Sequence, residues 1–260
     1  MGLDILECGF VRPMNSLVSA ARRVAHMVWS RRVRASLERP DACRLMGLDL
    51  VIEPGVLHPR HFASSRWLAV HLSRLDLRGL RVADLGTGSG ILALVAARAG
   101  AAVTAIDINP IAVRCAKANV ERNALGPLVE VVESDVFAKV PSEAAFDLVI
   151  TNPPFFPRGP RDPADVPFAA GANLEFFRRL AEGLPSRLAR RGSVLLVHSS
   201  DADFAEVRDL LERSGLQGRV EAERRGLFET LSIVRFSGGP SRHDALASVG
   251  FAQNPAVSGR

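Results

Sequence analysis

The sequence predicts an α/β fold, a mostly parallel sheet with helices packed on both faces. Three observations predict it. Short apolar strands alternate with helical stretches from Leu80 onward. A glycine-rich turn, Asp84-Leu85-Gly86-Thr87-Gly88-Ser89-Gly90, stands where the first of those strands enters a helix. Acidic residues then close three successive strands, at Asp84, Asp107 and Asp135.

Taken in order, residues 14–39 carry Met14, Leu17, Ala21, Val24 and Val28 at steps of three and four, with Arg22, Arg23, Arg31 and Arg32 off that stripe. That spacing predicts an amphipathic helix closed by Pro40. Residues 46–57 read as two short extended pieces around the turn Glu53-Pro54-Gly55. Ser64 and Ser65 are candidate N-caps for a helix through Leu75. Strands follow at Arg81–Leu85 and Ala102–Ile106, with the helix Ile91–Ala99 between them. Pro110, suited to a first helical position, opens a helix to Asn123. Further strands are expected at Val129–Glu133, Phe146–Thr151, Ser193–His198 and Phe228–Phe236. Helices are expected at Ala172–Arg190 and at Asp201–Ser214, the latter capped by Gly215. From Ser237 the chain loses periodicity and turns to Gly, Pro, Ser and Ala, as a disordered tail does.

Composition narrows the class. At 260 residues, 47% hydrophobic and 23% charged, the chain is globular. Cys8, Cys43 and Cys115 are scattered without a CxxC, so neither a disulfide framework nor a thiolate zinc cluster is expected. His58 and His61 stand without Cys, Asp or Glu at ligand spacing, and no metal site is expected there either. No apolar run reaches the ~18 residues of a membrane span. The N-terminus carries Asp4 and Glu7 and lacks the apolar stretch of a secretory signal, so the expected location is cytoplasmic. The net charge of +5 is local. Residues 1–40 hold Arg12, Arg22, Arg23, Arg31, Arg32, Arg34 and Arg39 against Asp4, Glu7 and Glu38, so nearly all of the excess lies there. Either a helix packed on the main domain with its arginines in solvent or a helix that grips RNA or a protein partner accounts for it.

The glycine turn permits a close approach of backbone to ligand at a helix N-terminus. A dinucleotide fingerprint, GxGxxG, would place glycine at 91, where Ile91 stands. Asp107, at the end of the next strand, can accept from both hydroxyls of a ribose, and Asp135 lies in reach of an adenine amino group. So many carboxylates repel a pyrophosphate and suit a nucleoside with a cationic tail. S-adenosylmethionine is such a ligand. After the fourth core strand comes Thr151-Asn152-Pro153-Pro154-Phe155. Prolines at 153 and 154 stiffen the rim and remove N–H donors, leaving the Asn152 side-chain oxygen and the Pro153 carbonyl as acceptors for a planar NH₂ group. Phe155 offers a face for packing against that group.

In these segments the chain resembles the class I S-adenosylmethionine-dependent methyltransferases of the (Asn/Asp)-Pro-Pro-aromatic type, over roughly residues 46–236. DLGTGSG is similar to their first motif, Asp107 to their ribose-binding acid and Ser134-Asp135-Val136 to their adenine-side segment. The resemblance implies a Rossmann-like, seven-stranded, mostly parallel sheet with a short N-terminal helical extension. It divides the chain into a basic extension (1–45), a methyltransferase domain (46–236) and a tail (237–260). It implies cofactor contacts at Asp84, Gly86, Thr87, Gly88, Ser89, Gly90, Asp107, Ile108, Asp135, Val136 and Asn152, with the acceptor held by Asn152, Pro153, Pro154 and Phe155. EPGVLHPR (53–60) and Ala169-Ala170-Gly171 add a likeness to the release factor glutamine methyltransferases. Those enzymes carry a longer helical N-terminal domain than the 45 residues found here. On the two shared segments a protein glutamine is nevertheless the leading acceptor. An RNA adenine or guanine amino group, docked through the basic helix at 22–34, comes second and a small metabolite third. A non-catalytic cofactor-binding module is the reading from a different class. The oligomeric state stays open.

Overall fold

In a computed structural model, the described residues are 37–154, 158–159, 168–200, 202, 204–226 and 229–238. The helix expected at 14–39 (but for its last three positions), Phe155, and the tail beyond Gly238 lie outside them.

The first strands among the described residues form an antiparallel hairpin, β1 (Asp41–Leu45) and β2 (Leu48–Ile52). Its turn is Met46-Gly47, both with positive φ (53° and 76°), as a two-residue hairpin loop requires. The sequence placed the turn at Glu53-Pro54-Gly55, which instead leads the chain out of β2 and is no hairpin turn. Methionine is an uncommon first residue in such a loop; the Arg98 guanidinium holds it by donating to the Met46 carbonyl at 2.6 Å.

Helix α1 spans Ala63–Leu72. Its N-cap is Phe62, with no side-chain capping bond, so Ser64 and Ser65 are not caps but lie inside the first turn. It ends three residues early, where the Ser73 hydroxyl donates to the Val70 carbonyl at 2.8 Å. The alternating core follows: β3 (Arg81–Leu85), α2 (Ile91–Arg98), β4 (Ala102–Asp107), α3 (Pro110–Arg122), β5 (Val129–Glu133) and β6 (Phe146–Thr151). Pro110 does open α3, and the Asn109 side chain caps it by accepting from the Ile111 N–H at 2.9 Å. Helix α4 (Glu175–Arg187) is shorter than expected at both ends, because Leu188–Arg190 already belong to β7 (Leu188–Ser199). Helix α5 (Ala205–Arg213) precedes Gly215, whose φ of 88° turns the chain into β8 (Leu216–Arg225) and then β9 (Thr230–Gly238).

The expected seven-stranded, mostly parallel sheet is present, in the order β5-β4-β3-β6-β7-β9-β8. β3 to β7 pair in parallel; β9 runs antiparallel to both β7 and β8. Alternate strand residues feed two cores. Val82, Val103, Ala105, Leu148 and Ile150 pack with α1, α2 and the hairpin on one face. Ala83, Ile106, Phe146, Val149 and Phe236 pack with α4 and α5 on the other. Strand order reverses between β3 and β6, so the crevice for a ligand opens beyond the C-terminal ends of that pair. The glycine turn follows β3, and Asn152 follows β6.

Candidate active site

Beyond Leu85 the chain passes through Gly86, Thr87, Gly88 and Ser89 to Gly90, the N-cap of α2. Gly88 (φ 54°) and Gly90 (φ 82°) hold left-handed conformations that side chains resist. At Gly90 space is tight as well, since an added Cβ would lie 3.4 Å from the Ala116 backbone. The turn is tied to the neighbouring strand: Gly86 and Thr87 donate to the Ile106 carbonyl at 2.9 and 3.0 Å. The Asp107 carboxylate accepts from the Gly88 N–H through one oxygen and from the Asn109 N–H through the other, both at 2.9 Å. Burial raises the pKa of Asp107, opposed by these N–H groups.

Asp84 is also buried, but it does not line the cavity. It sits beneath the turn, where one carboxylate oxygen accepts from the Thr87 hydroxyl at 2.6 Å and the Ala93 N–H at 3.0 Å. The other oxygen has no hydrogen-bond partner among the described residues. Desolvation pushes the Asp84 pKa up to about 7 against those two hydrogen bonds.

A cavity of about 340 Å³ opens at the crevice. That is within the size range of small-molecule sites. It gathers Gly86, Thr87, Gly88, Ser89, Asp107, Ile108, Asp135, Val136, Asn152 and Pro154 from four separate strand ends. Gly90 and Pro153 fall outside the lining; Pro153 is buried under the rim beside Phe177 and Leu196. Ile108 is 58% exposed, an apolar side chain held open at the cavity edge. Val136 has φ 48°, an outlier for a β-branched residue, and so the segment after β5 is held in a strained conformation at the site. Asp135 carries a partner that the sequence did not disclose, the Arg179 guanidinium from α4, in an ion pair.

Asn152 is the other centre of the site. Its amide nitrogen donates to the Ser65 hydroxyl at 2.7 Å, while its amide oxygen is buried without a partner among the described residues. Thr151, just before it, is fixed by donating to the Leu85 carbonyl at 2.9 Å, which locks the end of β6 to the end of β3. Val56, Leu57 and Pro59 from the EPGVLHPR segment and Ala169-Ala170-Gly171 also line the cavity. Ser65, Phe176 and Arg179 line it too, and reasoning from sequence missed them. Their signal is weak: a serine near a helix start reads as a cap, and an arginine on a helix reads as a solvated face. His58 is buried and accepts from the Arg60 N–H at 3.1 Å. Among the described residues no cluster of His, Cys, Asp or Glu could hold a metal ion, and no helix is long and apolar enough to cross a membrane.

Comparison with known proteins shows the family. The family model described as methyltransferase small domain matches residues 48–226. The release factor glutamine methyltransferase of Neisseria gonorrhoeae is 37% identical over 184 residues, which is 66% of either chain. That of Bordetella pertussis is 35% identical over 208 residues, covering 75% of this chain and 73% of its own. The chain thus spans about two thirds of the first relative's length. The fold is similar to that of the T. thermophilus 16S rRNA N2 G1207 methyltransferase, solved with AdoMet and guanosine. The TM-score is 0.58 at 24% identity, covering 77% of this chain and 50% of that one.

The residues present fit the cofactor that this family uses. The turn presents bare backbone at Gly86 and Gly88, the cavity has room, and the half-buried Asp107 carboxylate at its wall suits ribose hydroxyls and repels phosphate. The chain belongs to the methyltransferase small domain family and is an S-adenosylmethionine-dependent methyltransferase.

Proposed function

We propose that the chain methylates a planar amide nitrogen, that of a glutamine side chain in a protein. The observation that carries this reading is Asn152, which lines the same cavity as the glycine turn and Asp107 and whose buried amide oxygen has no partner among the described residues. A buried acceptor with no partner costs about 1–3 kcal/mol, and an NH₂ group of the substrate would satisfy it. Phe155 is the packing face. The names of the curated relatives support glutamine as the acceptor.

In this reading the Gly86–Gly90 backbone holds the amino-acid tail, Asp107 the ribose hydroxyls, Ile108 the adenine face, and the Ser134–Val136 segment its edge. Asp84 shapes the turn from below. The bound cofactor supplies an electrophilic methyl group carried on a sulfonium. An amide nitrogen is a poor nucleophile because its lone pair is delocalised. Holding its N–H on the Asn152 oxygen favours a pyramidal nitrogen and turns its lone pair toward the methyl. Orientation and stabilisation of developing positive charge then do the catalysis; the methylated nitrogen, cationic and strongly acidic, loses one hydrogen to water to give the secondary amide, so no strong base is needed.

An RNA base amino group is the second reading, favoured by the arginines at 22–34. A cytoplasmic location goes with either acceptor, and the unclustered cysteines suit it. The test uses methyl-labelled cofactor, purified enzyme and a lysate of cells lacking it. We expect label in the protein fraction, released as methylamine by acid hydrolysis because the methyl sits on an amide nitrogen. Label confined to RNA would replace glutamine with a base. Asn152→Ala is expected to keep S-adenosylhomocysteine binding and lose turnover by ~10²-fold or more. Turnover within a few-fold of wild type would refute the role given to Asn152.

A further inference from the structure

Ser65 stands 87 residues before Asn152 in sequence, yet its hydroxyl is 2.7 Å from the Asn152 amide nitrogen, and both line the cavity. A carboxamide has a donor end and an acceptor end of nearly equal size. Left unheld, Asn152 could turn either end to the substrate, and only the oxygen can accept from an NH₂ group. Ser65 takes the donor end. A hydroxyl has two lone pairs and one proton, and Asn152 occupies a lone pair. Among the described residues the Ser65 proton has no hydrogen-bond acceptor.

We propose that Ser65 determines acceptor specificity: it orients the Asn152 amide and directs its own proton to an acceptor atom beside the reacting nitrogen, as the carbonyl of a carboxamide provides. This rests on the amide reading above and deepens it. Three hydrogen bonds then close a ring: Asn152 to Ser65, Ser65 to the substrate carbonyl, and the substrate N–H to the Asn152 oxygen. The group recognised is H₂N–C=O. A simple amine offers no atom for the serine proton and forfeits a member of the ring.

The test is a cycle of wild type, Ser65→Ala, Asn152→Ala and the double variant, with Ser65→Thr as the conservative rescue. Two quantities are measured for each: methyl transfer into lysate protein, and S-adenosylhomocysteine affinity by calorimetry. Ser65→Ala is expected to lower transfer about 10-fold, the worth of one or two hydrogen bonds, with affinity unchanged within about 2-fold. Ser65→Thr should recover most of the transfer. In the Asn152→Ala background the Ser65 substitution should have little further effect, because the two act as a unit. Equal effects in both backgrounds would overturn the proposal, as would a loss of affinity matching the loss of transfer. The acceptor reading fails by a different sign: label that acid hydrolysis does not release as methylamine removes the carbonyl contact. The coupling in the cycle still decides whether Ser65 orients Asn152.

Discussion

Asp84 and Asp107 stand at the ends of neighbouring parallel strands, the first fully buried and the second half-buried, and their tasks differ. Asp107 reaches the cavity with each oxygen fixed by one backbone N–H; Asp84 lies under the turn with one oxygen unpartnered. Asp84 holds its proton up to about 7, above the ordinary value of 3.8. Its contribution to stability is therefore complete at low pH and is lost as pH rises through about 7. Asp84→Asn, which cannot ionise, should gain on wild type in unfolding free energy between about pH 4 and 7 and hold a constant difference above that. Denaturant titrations across that range measure it, and a difference independent of pH would show that Asp84 is ionised in the fold. Asp107→Ala should weaken S-adenosylhomocysteine by about 10²-fold, the value of two hydrogen bonds to a charged group. The identity of both acids was legible in sequence because each ends a strand. Their different tasks were not, since depth below a turn leaves no mark in one dimension. The same holds for Ser65, whose partner is distant in the chain, and for Arg179, whose guanidinium meets Asp135 only once α4 packs on the sheet.

Elements buried on both faces were read most accurately. β3 and β6 have the bounds that the sequence predicts, because apolar runs with turns at their ends leave little choice. β8 was missed. It lies at one edge of the sheet, and of LQGRVEAERR only Leu216 is buried, so neither an apolar run nor alternation marks it. The hairpin was half read: β2 was found, but its partner lies upstream, across the Met46-Gly47 turn. What holds the hairpin to the core is a device of α3. Asn119 accepts from the Val51 N–H at 2.7 Å and donates to the Val51 and Ser89 carbonyls at 2.8 and 2.9 Å. Asn123, one turn later, repeats the pairing at Asp49, accepting at 3.0 Å and donating at 2.8 Å. Two side chains at i and i+4 thus stand in for a strand along the open edge of β2. Asn119 is fully buried, so Asn119→Ala should destabilise by about 2–4 kcal/mol, from two or three polar groups left unpaired. Asn123→Ala, nearer solvent, should cost about 1 kcal/mol or less. Equilibrium unfolding of the two variants checks the order, and equal costs would refute the clamp.

At the scale of the whole molecule, the site belongs to no single element. Its lining comes from the segment after the hairpin, the ends of β3, β4, β5 and β6, and helices α1, α2, α3 and α4, around the point where strand order reverses. A ligand seated there links pieces of chain from Gly55 to Arg179, so binding should act on the stability of the entire fold. At a ligand concentration of about 100 times Kd the gain is about 2.7 kcal/mol. For a domain of this size that raises Tm by roughly 5–10 °C. S-adenosylhomocysteine should produce this shift in the wild type and in Asn152→Ala, and at the same concentration produce little in Asp107→Ala. A shift lost in both variants would make Asn152 part of cofactor binding and leave the acceptor site without its principal residue. A shift retained in both would move the nucleoside away from Asp107. The expected pattern separates the two halves of the cavity, one half that holds the cofactor and one that presents the nitrogen, although a single pair of neighbouring strands, β3 and β6, carries both.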